Sequence, residues 1–266
     1  MAQPSLVLYR GFPKSAAYVW SPFVTKLETR LRFGGLTYET EQGAPPRGPR
    51  GKIPYITISK SNSDSAPQTE TVSDTALISE KLVNDGLAED LNGKFTAAEK
   101  AQDLAIRALL EDKLYFYQVR PSPFLFPFLS PFPLFAKYIR VLKRRLIASV
   151  DDVYQNYERW EQNYFTMRPK VLAALPYPVQ VLVGQLAYRK MTATLYGQGT
   201  GRFTAEEITN FKTEVWENVN ALLTCSSRKR GSGDTDGMFF VLGGNAPSEA
   251  DTTLFGFIAS GLVCAA

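Results

Sequence analysis

Two proline steps constrain the fold of this chain more than any other feature of its sequence. At Ser21-Pro22, a hydroxyl residue and then a proline stand where an amphipathic helix begins. Proline suits the first helical position because the N–H that it lacks would have had no partner there. At Ile53-Pro54, a second proline opens a short apolar strand, one of the few places where a sheet accepts proline. A helix and then a strand, each entered through proline, predict an α/β domain near the N-terminus.

The spacing of apolar residues predicts the other elements of this domain. Phe23, Leu27 and Leu31 recur along the first helix and form one apolar stripe. The polar segment 59–69 is typical of the tip of a hairpin. The predicted order is strand 6–9, helix 21–34, strand 36–40, strand 53–58, a returning strand and helix 74–83. We assign this α/β domain to residues 1–90.

Beyond residue 90 the sequence predicts helices. A hydroxyl residue lies three positions before an acid at three places, which is the spacing of a capping box at a helix start. These pairs are Thr96 with Glu99, Thr204 with Glu207, and Ser248 with Asp251. Residues 134–150 and 151–165 show two further helical patterns. We therefore predict an all-α domain over residues 91–266.

The composition excludes several classes of chemistry. The 266 residues include no histidine, so Ser-His-Asp catalysis, Cys-His catalysis and histidine-ligated zinc are ruled out. The two cysteines, Cys225 and Cys264, form no Cys-x-x-Cys pair, and this argues against a dithiol redox centre. No metal is expected. The hydrophobic content of 44% and charged content of 21% are those of an ordinary globular protein with a sizeable core.

Charge and hydropathy indicate where the protein acts. The N-terminus lacks the basic and apolar regions of a signal peptide, which favours a cytoplasmic location. The charge-free run 171–188 is interrupted by Pro176, Pro178 and Gly184, so we expect a buried core helix rather than a membrane span. The net charge of +4 is mild, and the basic cluster at 137–145 is interpreted as a solvated helix face. No nucleic-acid partner is expected.

One segment allows two interpretations. Residues 121–135 are rich in proline and phenylalanine, and proline at this density forbids a regular helix. The segment is either a buried irregular connector between helices, or the wall of an apolar pocket or of a contact surface. The sequence leaves both interpretations open.

Five motifs in order along the chain resemble the glutathione S-transferase superfamily, and within it the failed-axon-connections and metaxin-like branch. The stretch SPFVTKLETRL at 21–31 is similar to that branch's SPFCxKLExxLR signature. The stretch GKIPY at 51–55 resembles the family's GKxPY, whose proline is typically cis. The other three are Asp74-Thr75, which resembles the family's acid-serine pair, the GQGTGRFTAEEI stretch at 197–208, and LGG at 242–244 with the capping box that follows.

The chain departs from the branch at two positions. Val24 stands where the branch often carries cysteine, so a mixed-disulfide role is lost there. Phe203 stands where it often carries histidine, which we interpret as a change of packing.

The resemblance implies a thioredoxin-like domain followed by an all-α domain, with glutathione as co-substrate. A hydroxyl at the start of the first helix would donate to the glutathione sulfur, and Ser21 is the first candidate. The alternative donor is Tyr9 at the end of the first strand, and Ser21 would then be a helix cap only. Thr25 is a weaker third candidate.

The resemblance also implies which residues bind the rest of glutathione. Ile53 would present its backbone to the cysteinyl unit, next to a cis bond at Pro54. Asp74 would pair with the γ-glutamyl ammonium, Thr75 with the γ-glutamyl carboxylate and Lys52 with the glycine carboxylate. A helix cap at Asp74 is the plainer interpretation, and it does not exclude binding.

The expected function is transfer of glutathione to a hydrophobic electrophile, in detoxification or a biosynthetic pathway. The aromatic residues proposed for the second substrate are Tyr115, Phe116, Phe124 and Phe126. The alternative is a non-catalytic interaction module of the metaxin and failed-axon type at a membrane or partner surface, located on the outer face of the mitochondrial membrane. A glutathione-dependent isomerase or lyase is a weaker third interpretation. A homodimer is compatible with each of them, and a membrane surface is the less favoured partner.

Overall fold

A computed structural model of the chain describes residues 4–11, 19, 21–60, 68–119, 176–229 and 239–265. The predictions for segment 121–135, for the basic cluster at 137–145, for the helical patterns over 134–165, and for Phe124 and Phe126 lie outside the described residues. Contacts group the chain into two compact units. The first comprises Met1–Leu104 and Phe240–Val263, and the second comprises Ala105–Phe239 and Cys264–Ala266. The predicted domain boundary near residue 90 stays a prediction.

The first unit contains a mixed four-stranded sheet. Its elements are β1 (Ser5–Tyr9), α1 (Pro22–Phe33), β2 (Glu39–Glu41), β3 (Tyr55–Lys60), β4 (Gln68–Ser73) and α2 (Thr75–Asn84). The strand order is β2-β1-β3-β4, with β1 parallel to β2 and β3 antiparallel to both of its neighbours. The predicted α/β arrangement is therefore present.

One face of the sheet forms the aliphatic core of the first unit. Leu6 faces Ile58 across the β1–β3 pair, and Leu8 faces Ile56. These side chains pack with Leu27 and Leu31 of α1 and Ile78 and Leu82 of α2. Because side chains alternate along a strand, this apolar set fixes which face of the sheet the helices cover. The stripe predicted on α1 accordingly contributes Leu27 and Leu31 to the core.

Two strand boundaries differ from those predicted. β2 lies later than residues 36–40, and β3 begins at Tyr55 rather than Ile53. The register explains the second difference, because Tyr55 pairs with Tyr9 and Ser73, the last residues of β1 and β4. Ile53 and Pro54 therefore precede the ladder.

The three predicted capping boxes are confirmed by their hydrogen bonds. The Thr96 N–H donates to Glu99 Oε2 at 2.8 Å, and the Thr204 N–H donates to Glu207 Oε2 at 2.7 Å. The Ser248 N–H donates to Asp251 Oδ2 at 2.9 Å. The helices that follow these three boxes are Ala97–Ala108 (α3), Ala205–Lys229 (α6) and Glu249–Ala265 (α7), and two further described α-helices lie between the first and the second of them.

The described residues of the second unit are mostly helical. α3 continues as a π-helical turn (Leu109–Leu114) into α4 (Tyr115–Val119), and α5 (Tyr177–Gln198) precedes a short 3-10 turn and α6. Tyr117 stacks on Phe211 of α6 with ring centroids 5.5 Å apart, and Trp216 of α6 is fully buried. No described helix is long and apolar enough to cross a membrane.

The prediction of a buried core helix over residues 171–188 is wrong for several described side chains. Tyr177, Val179, Leu182 and Leu186 of α5 are all exposed, with Tyr177 at 67% and Leu182 at 62%. An apolar, charge-free composition indicates that a helix can be buried, but it does not specify which side chains meet a neighbour.

Candidate functional site

The topology of the sheet brings the predicted site residues to one edge of the first unit. α1 connects the parallel strands β1 and β2, so α1 begins at the edge where β1 ends. β3 is antiparallel to β1 and β4 is antiparallel to β3, so β3 starts and β4 ends at this same edge. The residues that this places at the edge are Tyr9, Ser21, Lys52, Ile53, Pro54, Asp74 and Thr75.

Ser21 occupies the N-cap position of α1 without capping the helix through its side chain. Its backbone is extended, with φ of −78° and ψ of 114°, and Pro22 follows at the first helical position. The Ser21 carbonyl accepts the N–H groups of Val24 at 3.2 Å and Thr25 at 3.3 Å. Its hydroxyl makes no capping bond. This half-buried hydroxyl is therefore not used by the helix that it begins.

Tyr9 is engaged in an aromatic pair. Its ring stacks on that of Tyr55, its partner across the β1–β3 ladder, with centroids 4.4 Å apart and 14° between the planes. The backbone of Gly43 approaches this pair closely, since a Cβ there would lie 2.8 Å from the Tyr55 hydroxyl and from Tyr9 Cβ. A side chain at position 43 would displace the rings.

The peptide bond between Ile53 and Pro54 is cis, which is the form that the resemblance implies. Pro54 is buried and Ile53 is half-buried, while Lys52 is exposed. Ile53 lies outside the ladder, so its backbone groups are not committed to the sheet.

Asp74 has a backbone conformation that is rare for a residue with a side chain. Its φ is 81° and its ψ is 122°. A positive φ costs energy in a residue other than glycine, and such residues recur at functional sites. Its Oδ1 accepts the Ala76 N–H at 3.1 Å and caps α2, while the side chain remains exposed. Thr75, the first residue of α2, is buried. The predicted cap at Asp74 is thus present, and it leaves the carboxylate accessible.

A buried ion pair lies next to this edge, on the side of the core. Arg10, next to Tyr9, is 3% exposed and its Nε lies 2.6 Å from Glu28 Oε1 on α1. Burial raises the pKa of the Glu28 carboxyl, and the Arg10 and Arg32 guanidinium groups oppose this rise. Arg32 also donates to the Tyr38 hydroxyl at 3.1 Å. The pair of Arg10 and Glu28 ties the end of β1 to α1.

The sequence interpretation missed several residues of this edge. Ser73 is buried beside Tyr55, and its hydroxyl has no hydrogen-bond partner among the described residues. The hydroxyl of Thr25, the third candidate donor, is also buried and has no hydrogen-bond partner among the described residues. The stacking of Tyr9 on Tyr55 follows from strand register, and only an alternating pattern on both strands could have indicated it.

The proposed second-substrate residues lie in the second unit where they are described. The rings of Tyr115 and Phe116 meet edge to face with centroids 5.2 Å apart, and both residues are half-buried. Burial raises the pKa of the Tyr115 hydroxyl, so it is neutral at physiological pH. Tyr115 is thus a neutral, largely apolar side chain.

Comparison with known proteins gave one match, and it covers part of the region that carries this edge. Residues 22–122 match the family model described as Glutathione S-transferase N-terminal domain. The match supports the glutathione transferase superfamily and, with the mixed sheet, a thioredoxin-like N-terminal domain. It does not address the failed-axon-connections and metaxin-like branch. Neither the search of curated proteins nor the search of solved structures gave a match.

Proposed function

We propose that this protein is a glutathione transferase that conjugates the glutathione thiol to a hydrophobic electrophile. The observation that carries the proposal is the hydroxyl of Ser21, which lies at the N-terminus of α1 and makes no capping bond. The match of residues 22–122 to the glutathione transferase N-terminal domain supports it independently. Assignment to the metaxin-like branch is part of the proposal and rests on the SPFVTKLETRL stretch.

Ser21 activates the thiol by stabilising its anion. A cysteine thiol has a pKa near 8.5, so only a small fraction is thiolate at neutral pH. The Ser21 hydroxyl donates a hydrogen bond to the sulfur, and the N-terminus of α1 adds a partial positive charge. Both effects favour the charged form and lower the pKa of the bound thiol. No covalent enzyme intermediate is needed. The thiol proton passes to solvent, and the thiolate forms the S–C bond while the electrophile either releases its leaving group with the bonding pair or opens a double bond that then takes up a proton.

The other residues of the edge bind the rest of glutathione. The exposed carboxylate of Asp74 pairs with the γ-glutamyl ammonium, and the start of α2 at Thr75 receives the γ-glutamyl carboxylate. Ile53 offers its backbone to the cysteinyl unit, and Lys52 pairs with the glycine carboxylate. The tripeptide would thus lie along the edge from α2 towards the segment before β3.

Tyr9 is the alternative donor to the sulfur. Its stacked ring is held in place by Tyr55 and Gly43, which would position a phenol well. Loss of thiolate stabilisation in Tyr9→Phe, with Ser21→Ala unaffected, would assign the role to Tyr9.

Isothermal titration with reduced glutathione tests the proposal. We expect the wild-type protein to bind with a Kd between about 1 µM and 1 mM, the span typical of enzymes and their substrates. Asp74→Ala should abolish this binding, because the ammonium loses its ionic partner. Lys94→Ala is a matched control, since Lys94 is exposed and lies outside this edge. Absence of binding by the wild-type protein would overturn the proposal.

A second function is favoured by one observation. Three exposed apolar side chains of α5, Val179, Leu182 and Leu186, lie within about 60° of one another around the helix, and exposed apolar side chains on one face are typical of interaction sites. A non-catalytic interaction module would use such a surface at a partner or a membrane. Co-sedimentation with anionic liposomes that is lost in Leu182→Ser and Leu186→Ser, combined with no glutathione binding, would favour this function over transfer.

A further inference from the structure

The N-terminal turn of α1 packs against α7, a helix more than 200 residues away in sequence, and the residues that meet there belong to the first compact unit. Gly256, in the middle of α7, lies against the first turn of α1. A Cβ at position 256 would lie 2.5 Å from the Pro22 carbonyl oxygen and 2.9 Å from the Lys26 nitrogen. Carbon and oxygen atoms in close contact are usually about 3.3 Å apart or more. Position 256 therefore admits no side chain while this turn stays where it is.

A Cβ at position 256 would clash with backbone atoms, so the clash cannot be relieved by rotating a side chain. Pro22 and Lys26 are four residues apart in α1, where the carbonyl of the first accepts the N–H of the second. An added methyl group would press on this pair of atoms in the opening turn. The turn that carries Ser21 and Pro22 would have to shift, because packed interiors seldom absorb an extra methyl group without movement.

The surrounding contacts bind α7 to α1 and to α3. Phe257 is fully buried and meets Phe23 of α1 edge to face, with ring centroids 6.0 Å apart. Glu249 at the start of α7 pairs with the buried Arg30 Nε at 2.5 Å. The Ala250 N–H donates to the buried Asp103 at 2.7 Å. Because the bond to Asp103 anchors α7 independently of α1, we expect the opening turn of α1 to take up the displacement.

We propose that Gly256 is a positioning residue of the thiolate site, and this inference rests on the proposed function. The missing side chain at position 256 lets α1 lie deep enough that its N-terminus and the Ser21 hydroxyl face the glutathione sulfur together. Gly256 touches neither glutathione nor the electrophile. It acts through the placement of the first turn of α1.

The test compares Gly256→Ala with Gly197→Ala. Gly197 lies on α5, where a Cβ would have no described neighbour within 4 Å, so the same chemical change there meets open space. The pKa of the bound glutathione thiol is measured from the ultraviolet absorbance of the thiolate. In Gly256→Ala this pKa should rise by about half a unit to one unit, which lowers the thiolate fraction roughly three- to tenfold. Glutathione Kd should change little, because Asp74 and Ile53 are untouched.

Hydrogen exchange supplies a readout that needs no ligand. The amide of Lys26 should exchange faster in Gly256→Ala than in the wild-type protein, and at the wild-type rate in Gly197→Ala. If Gly256→Ala does not fold, Phe257→Leu takes its place, because it loosens the contact with Phe23 without adding atoms. Its effect on the thiol pKa should have the same sign and be smaller.

The possible results of these experiments distinguish a failure of the proposed function from a failure of the role proposed for Gly256. If the wild-type protein does not bind glutathione, the proposed function fails and this inference fails with it. If glutathione binds and the thiol pKa in Gly256→Ala and in Phe257→Leu equals that of the wild-type protein, this inference alone is overturned. A rise of the pKa in Gly256→Ala with none in Gly197→Ala supports it.

Discussion

The starts of α1 and α7 are built in opposite ways. At α7 the protein supplies its own partners for the first N–H groups: that of Glu249 donates to Asn92 Oδ1, that of Ala250 to Asp103 Oδ1, and that of Asp251 to Ser248 Oγ. At α1 the residue in the corresponding position is also a serine, but the Ser21 hydroxyl makes no capping bond. A helix start whose donors are all satisfied serves stability. A helix start whose N-cap hydroxyl makes no capping bond can use that hydroxyl to bind a ligand.

The burial of the two sites fits this contrast. Ser248, Ala250 and Asp251 are buried at 1% exposure or less, whereas Ser21 is half-buried. An unpaired polar group in a buried position costs folding free energy. The start of α7 therefore has to be complete within the protein, while the start of α1 is the one that we propose a ligand completes. Substitutions at the two sites should separate stability from activity.

The largest expected effect is that of Asp251→Ala. The Asp251 carboxylate accepts the Val241 N–H at 2.8 Å, the Ser248 N–H at 2.9 Å and the Ser248 hydroxyl at 2.7 Å, all of them buried. Its loss should lower the free energy of unfolding by at least about 3 kcal/mol, because buried donors are left without a partner. Urea denaturation measures this. A loss below about 1 kcal/mol would contradict the role assigned to the α7 cap.

Ser21→Ala should affect turnover and leave stability nearly unchanged. We expect kcat to fall about 100-fold, the usual consequence of removing one hydrogen-bond donor from a developing anion. The free energy of unfolding should change by less than about 0.5 kcal/mol, because no capping bond is lost. Turnover with a general electrophile and urea denaturation are measured on the same preparation. Ser21→Thr, which keeps the hydroxyl, is the control, and wild-type turnover in Ser21→Ala would remove Ser21 from the mechanism.

Ser248→Ala is the matched change at the other helix. Here the hydroxyl caps the helix, since it accepts the Asp251 N–H and donates to the Asp251 carboxylate. The free energy of unfolding should fall by about 1–2 kcal/mol, as for other N-caps. The affinity for glutathione should be unchanged. If Ser21→Ala and Ser248→Ala lowered stability equally, the contrast between the two helix starts would be wrong.

The smallest expected effect concerns pH and the end of α2. Asp85 accepts hydrogen bonds from Lys60 of β3 at 2.9 Å and from Lys81 at 3.0 Å. These hydrogen bonds hold the pKa of Asp85 below its usual value of 3.8, and the bond from Lys60 has the larger effect. The native state then binds the proton less tightly than the unfolded chain. The stabilisation is present above about pH 4 and is lost as the pH falls through the native pKa.

Asp85→Asn should therefore lower stability by less than about 1 kcal/mol at neutral pH, since the pair is open to solvent screening. The difference from the wild-type protein should shrink below pH 4 and in high salt. Thermal unfolding across that pH range measures it. A difference that grows in acid would show that the sign is wrong.

Short motifs in the sequence predicted the helix starts, because the residues that determine a helix start are neighbours in the chain. The capping boxes at Thr96, Thr204 and Ser248 were predicted from a three-residue spacing, and each is present. The Ser21-Pro22 step predicted the start of α1 because a helix start depends on its own first residues. The position of β3 could not be predicted in the same way. Its first residue is fixed by pairing with Tyr9 and Ser73, which belong to other strands.

The sequence by itself determined that an α/β region with a serine-proline helix start precedes a series of capped helices, because short-range spacing and proline chemistry decide those features. Only the tertiary structure decided what completes the start of α7, because the N–H groups of Glu249 and Ala250 donate to Asn92 and Asp103 from a distant part of the chain. It also brought Gly256 against the first turn of α1. That contact joins residues distant in sequence, and only the packing of α7 against α1 creates it.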